Sequence, residues 1–109
     1  DDMLIIRGVN VYPSQVEEMI LRDQRLAGNY QLVVTRSGHL DNLEVRCEVQ
    51  HTLSGQLSPA DMQGIGKELQ ARIKTNIGVS TQVHVMPYDS IPRTQVGKAR
   101  RVIDERARG

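Results

Sequence analysis

A chain of 109 residues, 39% apolar and 25% charged, has the size and balance of one compact domain spanning 1–109. Its net charge of +1 carries no broad electrostatic footprint, which argues against a nucleic-acid or membrane-surface partner. A lone cysteine, Cys47, excludes an internal disulfide framework, and no apolar run approaches the roughly 20 residues that cross a bilayer. With no Phe, no Trp and only Tyr12, Tyr30 and Tyr88, the core must be aliphatic. A free thiol suits a reducing cytoplasm, and no signal-peptide pattern is visible. The start, with no initiating Met, reads as a longer chain cut at this point.

In chain order, residues 3–6 and 9–11 are short β-rich runs. Arg7-Gly8 between them makes a tight turn, with Gly supplying positive φ. A helix follows, with Ser14 and Glu17 at capping-box spacing and Val16, Met19 and Ile20 on one face. Ala27-Gly28-Asn29 reads as its end. Residues 30–35 form a strand buried on both faces, and 37–42 a polar turn. Residues 43–50 alternate: Leu43, Val45, Cys47 and Val49 face the core, while Glu44, Arg46, Glu48 and Gln50 face solvent. These two strands form a hairpin.

After a loop over 51–57, Ser58 caps a second helix with Pro59 in its first turn and Asp61 near its positive end. Met62, Ile65, Leu69, Ile73 and Ile77 recur at helical spacing, and Gly78 fits the stop. Gly64 and Gly66 weaken that helix by roughly 1 kcal/mol each relative to Ala. Residues 81–86 form the last strand, Pro87 and Pro92 bracket a turn, and 99–106 read as a short helix on Val102 and Ile103. The predicted fold is a two-layer α+β domain. An N-terminal β-hairpin accompanies a three-stranded, mainly antiparallel sheet backed by two helices, and a ferredoxin-like order is one way to connect them.

The tail, residues 91–101, carries the strongest chemical signal. Pro92 and Gly97 shape the backbone of a polar loop, and Lys98 follows Gly97 where little bulk crowds it. An ammonium there can neutralise a phosphate or carboxylate as charge builds on it. By itself such a lysine is most often a solvated surface group. The three histidines lack metal-ligand spacing, so no metal site is expected on this chain. Cys47 reads as a small core hydrophobe. Gly64-Ile65-Gly66-Lys67 hints at a phosphate loop but lies inside a helical pattern. Arg106 and Arg108 read as solvated tail charges.

Pro92, Thr94, Gly97, Lys98 and Arg100, in that order, resemble the terminal motif of the adenylate-forming acyl-CoA ligases. The first 13 residues, followed by Val16-Glu17, resemble that family's hinge and the hairpin after it. The wording Ile-Ile-Arg-Gly-Val-Asn-Val, then Tyr-Pro-Ser-Gln, is most similar to the phenylacetate–CoA ligase branch. The resemblance covers essentially the whole chain. It implies a mobile C-terminal domain of a larger polypeptide, inactive in isolation, whose partner is the N-terminal domain of the same chain. It also implies ATP with Mg²⁺, CoA as co-substrate and an aromatic acid as acyl substrate, with the Mg²⁺ ligands in the N-terminal domain. By the same resemblance Lys98 is the adenylation lysine and Asp1 the hinge. Arg7, Gly8 and Asn10 flank the CoA side, and Arg100 or Arg101 is set against CoA phosphates. Two readings from other classes compete: a small-molecule-binding regulatory module and an RNA-binding domain.

Overall fold

The computed structural model describes residues 2–93 and 101–106. The chain opens with β1 (Leu4–Ile6) and β2 (Val9–Val11), an antiparallel hairpin that pairs Ile6 with Val9. Its two-residue loop places both Arg7 (φ 47) and Gly8 (φ 78) in the left-handed region. That pair of positive φ values matches the right-handed twist of the flanking strands. Helix α1 (Pro13–Arg22) follows at once. Its cap lies two residues earlier than the sequence suggests. The Gln15 side chain accepts the Tyr12 N–H at 3.1 Å, and Pro13 fills the first helical position, where no N–H is needed. Val16 and Ile20 are buried and Met19 packs against the same core, as the spacing predicts.

The main sheet has four strands in the order β5–β4–β3–β6. Strands β3 (Leu26–Ser37) and β4 (Leu40–Val49) form the central antiparallel hairpin, closed by Gly38-His39 alone rather than by a long polar turn. Ala27-Gly28-Asn29 does not end a helix. It lies inside β3, where the register with β4 shifts between Leu26 and Tyr30. A bulge of this kind leaves side chains free of the regular in–out alternation.

Helix α2 (Pro59–Asn76) connects β4 to β5 (Gln82–Met86), which lies parallel to β4. Parallel neighbours require such a crossover. Ser58 Oγ accepts the Asp61 N–H at 3.0 Å, and Asp61 accepts the Ser58 N–H at 2.9 Å, a reciprocal cap. Gly78 (φ 90) closes the far end, donating to Lys74 O at 3.0 Å. Gly66 is a packing requirement rather than a weakness. A Cβ there would stand 3.1 Å from Val83 O, so α2 lies almost on the backbone of β5. At Gly64 a Cβ would meet nothing within 4 Å.

Of the segment 99–106, expected as a short helix, residues 99 and 100 lie outside the described residues and 101–106 are not helical. Val102–Asp104 is strand β6, parallel to β3 and bracketed by Leu32 N–H to Arg101 O (2.7 Å) and Glu105 N–H to Val34 O (2.8 Å). Thus the α+β layers, the N-terminal hairpin and the two helices stand as predicted. The sheet gains a fourth strand and its outer pairs are parallel. The ferredoxin-like order is not adopted, because β4 and β5 are adjacent across their crossover. The core between helices and sheet is aliphatic. Leu32, Val34, Val45, Leu69 and Ile73 are fully buried, with Tyr30 the aromatic among them. Burial pushes the Cys47 thiol up to about 12, with help from Asp23 and Glu48, so it stays protonated and inert.

Candidate functional site

The sequence points to two places, the hairpin tip and the tail loop. At the hairpin tip, Arg7 is a non-glycine residue at positive φ, a conformation that persists only when its surroundings hold it. Its guanidinium donates to Asp41 O and Ser80 O, tying the tip to β4 and to the turn before β5. Gly8 beside it faces open space. Its role within this domain is the backbone angle, and a Cβ there would meet none of the described residues within 4 Å. Asn10 is exposed on the outer face of β2, directly across from Ile5, which is 52% exposed. Met3 and Tyr12 are exposed nearby in sequence. The hairpin therefore buries Leu4, Ile6 and Val11 and leaves its outer face part apolar.

The tail reaches this hairpin through Arg106. Its Nη1 donates to Ile5 O at 2.7 Å and to Asp41 Oδ2 at 2.8 Å, and Nη2 bonds Asp104 at 2.9 Å. Arg106 is therefore not a solvated tail charge. Asp41 also accepts from Arg36 at 2.7 Å, and these cations hold its carboxyl below the usual carboxylate range.

In the tail motif, Thr94, Gly97, Lys98 and Arg100 lie outside the described residues, as does Asp1 at the other terminus. Both flanks of residues 94–100 are described. On the entry side, Ile91 is buried and Pro92 is exposed. The Ile91 N–H donates to Glu48 Oε2 at 2.7 Å and the Asp89 N–H to Glu48 Oε1 at 2.9 Å. Arg93 Nη2 adds a third bond at 2.8 Å. Arg93 also stacks 5.0 Å over Tyr88, which meets His51 edge to face. On the exit side, the Arg101 guanidinium lies 4.8 Å over the Tyr30 ring and donates to Asn29 Oδ1 at 3.0 Å. Arg101 is thus anchored by its own domain, with the rest of its guanidinium on the side of an open cleft. Tyr30 is pushed up to about 12 by burial and by Glu17, so its phenol remains neutral. Asp2, Glu17, Tyr30 and Arg101 line an open cleft of about 940 Å³ beside α1.

Glu48 corrects the sequence reading most sharply. Expected on the solvent side of its strand, it is 0% exposed. Burial pushes its carboxyl up, but Arg93 and the backbone N–H groups of Ile91 and Asp89 outweigh burial and leave it below its ordinary value. Strand alternation alone contains no signal for this. The partners come from a turn 41 to 45 residues away in sequence. Asn29 was equally hidden in a tripeptide that looks like a helix stop. Among the described residues, no cluster of three or more His, Cys, Asp or Glu is placed to hold a metal ion, and no helix is long and apolar enough to cross a membrane.

Comparison with known proteins places this geometry. A phenylacetate-coenzyme A ligase from Aromatoleum evansii is 48% identical over 106 residues, covering 97% of this chain and 24% of the relative. The chain thus spans about a quarter of the length of the curated relatives it matches. The crystal structure of a domain of phenylacetate-coenzyme A ligase from Bacteroides vulgatus superposes with a TM-score of 0.84 at 27% identity, covering 97% of this chain and 94% of that one. A 2-hydroxyisobutyryl-CoA ligase, solved with 2-HIB-AMP and CoA in its thioesterification state, also gives 0.84 at 35% identity, over 97% of this chain and 22% of that one. The family model described as the AMP-binding enzyme C-terminal domain matches residues 8–106, and the chain belongs to that family.

Proposed function

We propose that this chain is the mobile C-terminal unit, residues 1–109, of an ATP-dependent aryl-acid–CoA ligase of the phenylacetate type. The observation that carries the reading is the 48% identity to phenylacetate-coenzyme A ligases along nearly the whole chain. The larger N-terminal part of the same polypeptide would bind the aromatic acid and ATP. A whole-chain family match speaks against the regulatory and RNA-binding readings. A lone buried thiol suits a cytoplasmic enzyme.

In the first half-reaction an acyl carboxylate oxygen attacks the α-phosphorus of ATP and diphosphate leaves, giving the acyl-adenylate. Lys98 supplies a positive charge to the attacking carboxylate and to the phosphate as charge accumulates there. Mg²⁺ accompanies ATP and is held outside this chain. In the second half-reaction the CoA sulfur attacks the acyl carbon and AMP leaves. The hairpin tip flanks that reaction: Gly8 offers bare backbone beside the incoming thiol arm, and Asn10 offers polar contacts. Arg7, bound to two carbonyls, stiffens the tip on the CoA side. Asp1 marks the pivot between the two arrangements.

The test is Lys98→Ala in the full-length enzyme, with the half-reactions assayed separately. Adenylation falls by about 100-fold or more, while thioester formation from supplied acyl-adenylate survives. Equal loss of both would reject the division of labour.

A further inference from the structure

We propose that Asn29 and Glu48 are positioning residues for adenylation, clasping both ends of the segment that carries Lys98. The inference rests on the role given to Lys98 above and adds the device that aims it. The segment begins after Arg93 and ends before Arg101, and every bond of the clasp lies on those two flanks or on β3 and β4.

Asn29 is the bridge. Its Nδ2 donates to Ile91 O at 3.1 Å on the entry side and to Glu48 Oε2 at 3.3 Å on β4. Its Oδ1 accepts from Arg101 at 3.0 Å, on the exit side. The partners dictate this orientation, because a guanidinium only donates and a carbonyl only accepts. An amide joins the two flanks in this way. A carboxylate would lose the donor, and an aliphatic side chain would lose both ends. Asn29 reaches the flanks because it stands in the β3 bulge, where the register between Leu26 and Tyr30 slips.

Glu48 secures the entry side with bonds to Asp89 N, Ile91 N and Arg93, and the exit side is fastened by Leu32 N to Arg101 O and by the Arg101–Tyr30 stack. A surface loop with no directional task can be tethered by apolar contacts. Sealing a carboxylate at 0% exposure beneath its stem costs several kcal/mol unless every oxygen is satisfied. Here both oxygens are satisfied, and all the backbone donors come from the turn that leads into the segment. Such a clasp restricts where the segment starts and finishes. A displacement of about 1 Å at a charge-stabilising group can cost on the order of 100-fold in rate.

The experiment uses the full-length enzyme carrying Asn29→Ala, Lys98→Ala, or both. Adenylation is read by phenylacetate-dependent ATP–diphosphate exchange, and the second step by thioester formation from supplied phenylacetyl-adenylate and CoA. Asn29→Ala lowers adenylation kcat by about 10- to 100-fold with the ATP KM unchanged, and leaves thioester formation within about twofold. In the Lys98→Ala background, adding Asn29→Ala changes residual adenylation by less than about twofold, because the clasp acts through the lysine. Asn29→Asp, of the same size, is the second variant should Ala fail to fold. It keeps the Arg101 bond, loses the donor to Ile91 O and repels Glu48, and so impairs adenylation selectively as well. The clasp is overturned if the Asn29 variants lose both half-reactions together, lose neither, or add their full effect on top of Lys98→Ala. Intact adenylation in Lys98→Ala alone would remove the reading of that lysine, and the clasp with it.

Discussion

Glu44 and Glu48 occupy the same face of β4, four residues apart, and meet opposite fates. The Glu44 side chain is 26% exposed and pairs with Arg46 at 3.1 Å and His84 at 3.2 Å on the open side of the sheet. Glu48 is sealed, because the 87–93 turn folds over it and supplies its donors. The residue type and the strand period are identical. Local pattern therefore assigns a face, and a distant segment decides whether that face sees water.

The comparison can be broken from the apolar side first. Leu43, on the opposite face, is 2% exposed, and Leu43→Ala should cost about 2–5 kcal/mol, read by denaturant unfolding. Next comes Glu48→Gln, which replaces an acceptor with an amide that cannot accept at both positions. A loss of about 1–3 kcal/mol is expected, against about 0.5 kcal/mol or less for Glu44→Gln at the half-exposed pair. Equal costs for the two glutamates would show that the seal over Glu48 adds nothing.

Acid sharpens the same contrast. The folded Glu48 carboxyl titrates below its ordinary value of 4.5, since its donors outweigh the effect of burial. The unfolded chain therefore takes up this proton first as pH falls. The stability that Glu48 contributes is complete above the ordinary carboxylate range and is lost as pH drops through its folded pKa. Glu48→Gln should flatten that part of the stability–pH curve, read by unfolding across the acid range.

The smallest effects come from a parallel pair, the two helix glycines. Gly66→Ala must push against Val83 O at 3.1 Å and should destabilise by about 1–2 kcal/mol. Gly64→Ala enters open space and should stabilise by up to about 1 kcal/mol.

The features that could be read in advance are those written in nearest neighbours. Ser58 and Asp61 cap α2 within four residues, Ile65, Leu69 and Ile73 set its buried face, and Gly8 supports a two-residue turn. Features that needed the folded chain were missed or misassigned. Val102 and Ile103 fit a short helix as well as a strand, because three residues are too few for a period to show. The exposed edge of β3 settles the matter by accepting them as β6. Asn29 looked like a helix stop because Ala-Gly-Asn suits both a stop and a bulge, and its amide meets Ile91 and Arg101, 62 and 72 residues away, only in the folded chain. At the site, Arg7, Gly8 and Asn10 do gather on one hairpin. The motif around Lys98 was legible as a family signature, but the residues that hold its flanks carry no signature of their own.

The most direct measurement compares two variants of the full-length enzyme in both half-reactions. Lys98→Ala should depress adenylation by about 100-fold or more while sparing transfer to CoA. Gly8→Ala, whose Cβ meets no described residue within 4 Å but strains a backbone held at φ 78, should do the reverse in protein whose unfolding shows an intact fold. Crossed losses of that kind are the predicted result. Parallel losses in both variants, or adenylation indifferent to the lysine, would contradict a domain that brings two different surfaces to one reaction centre.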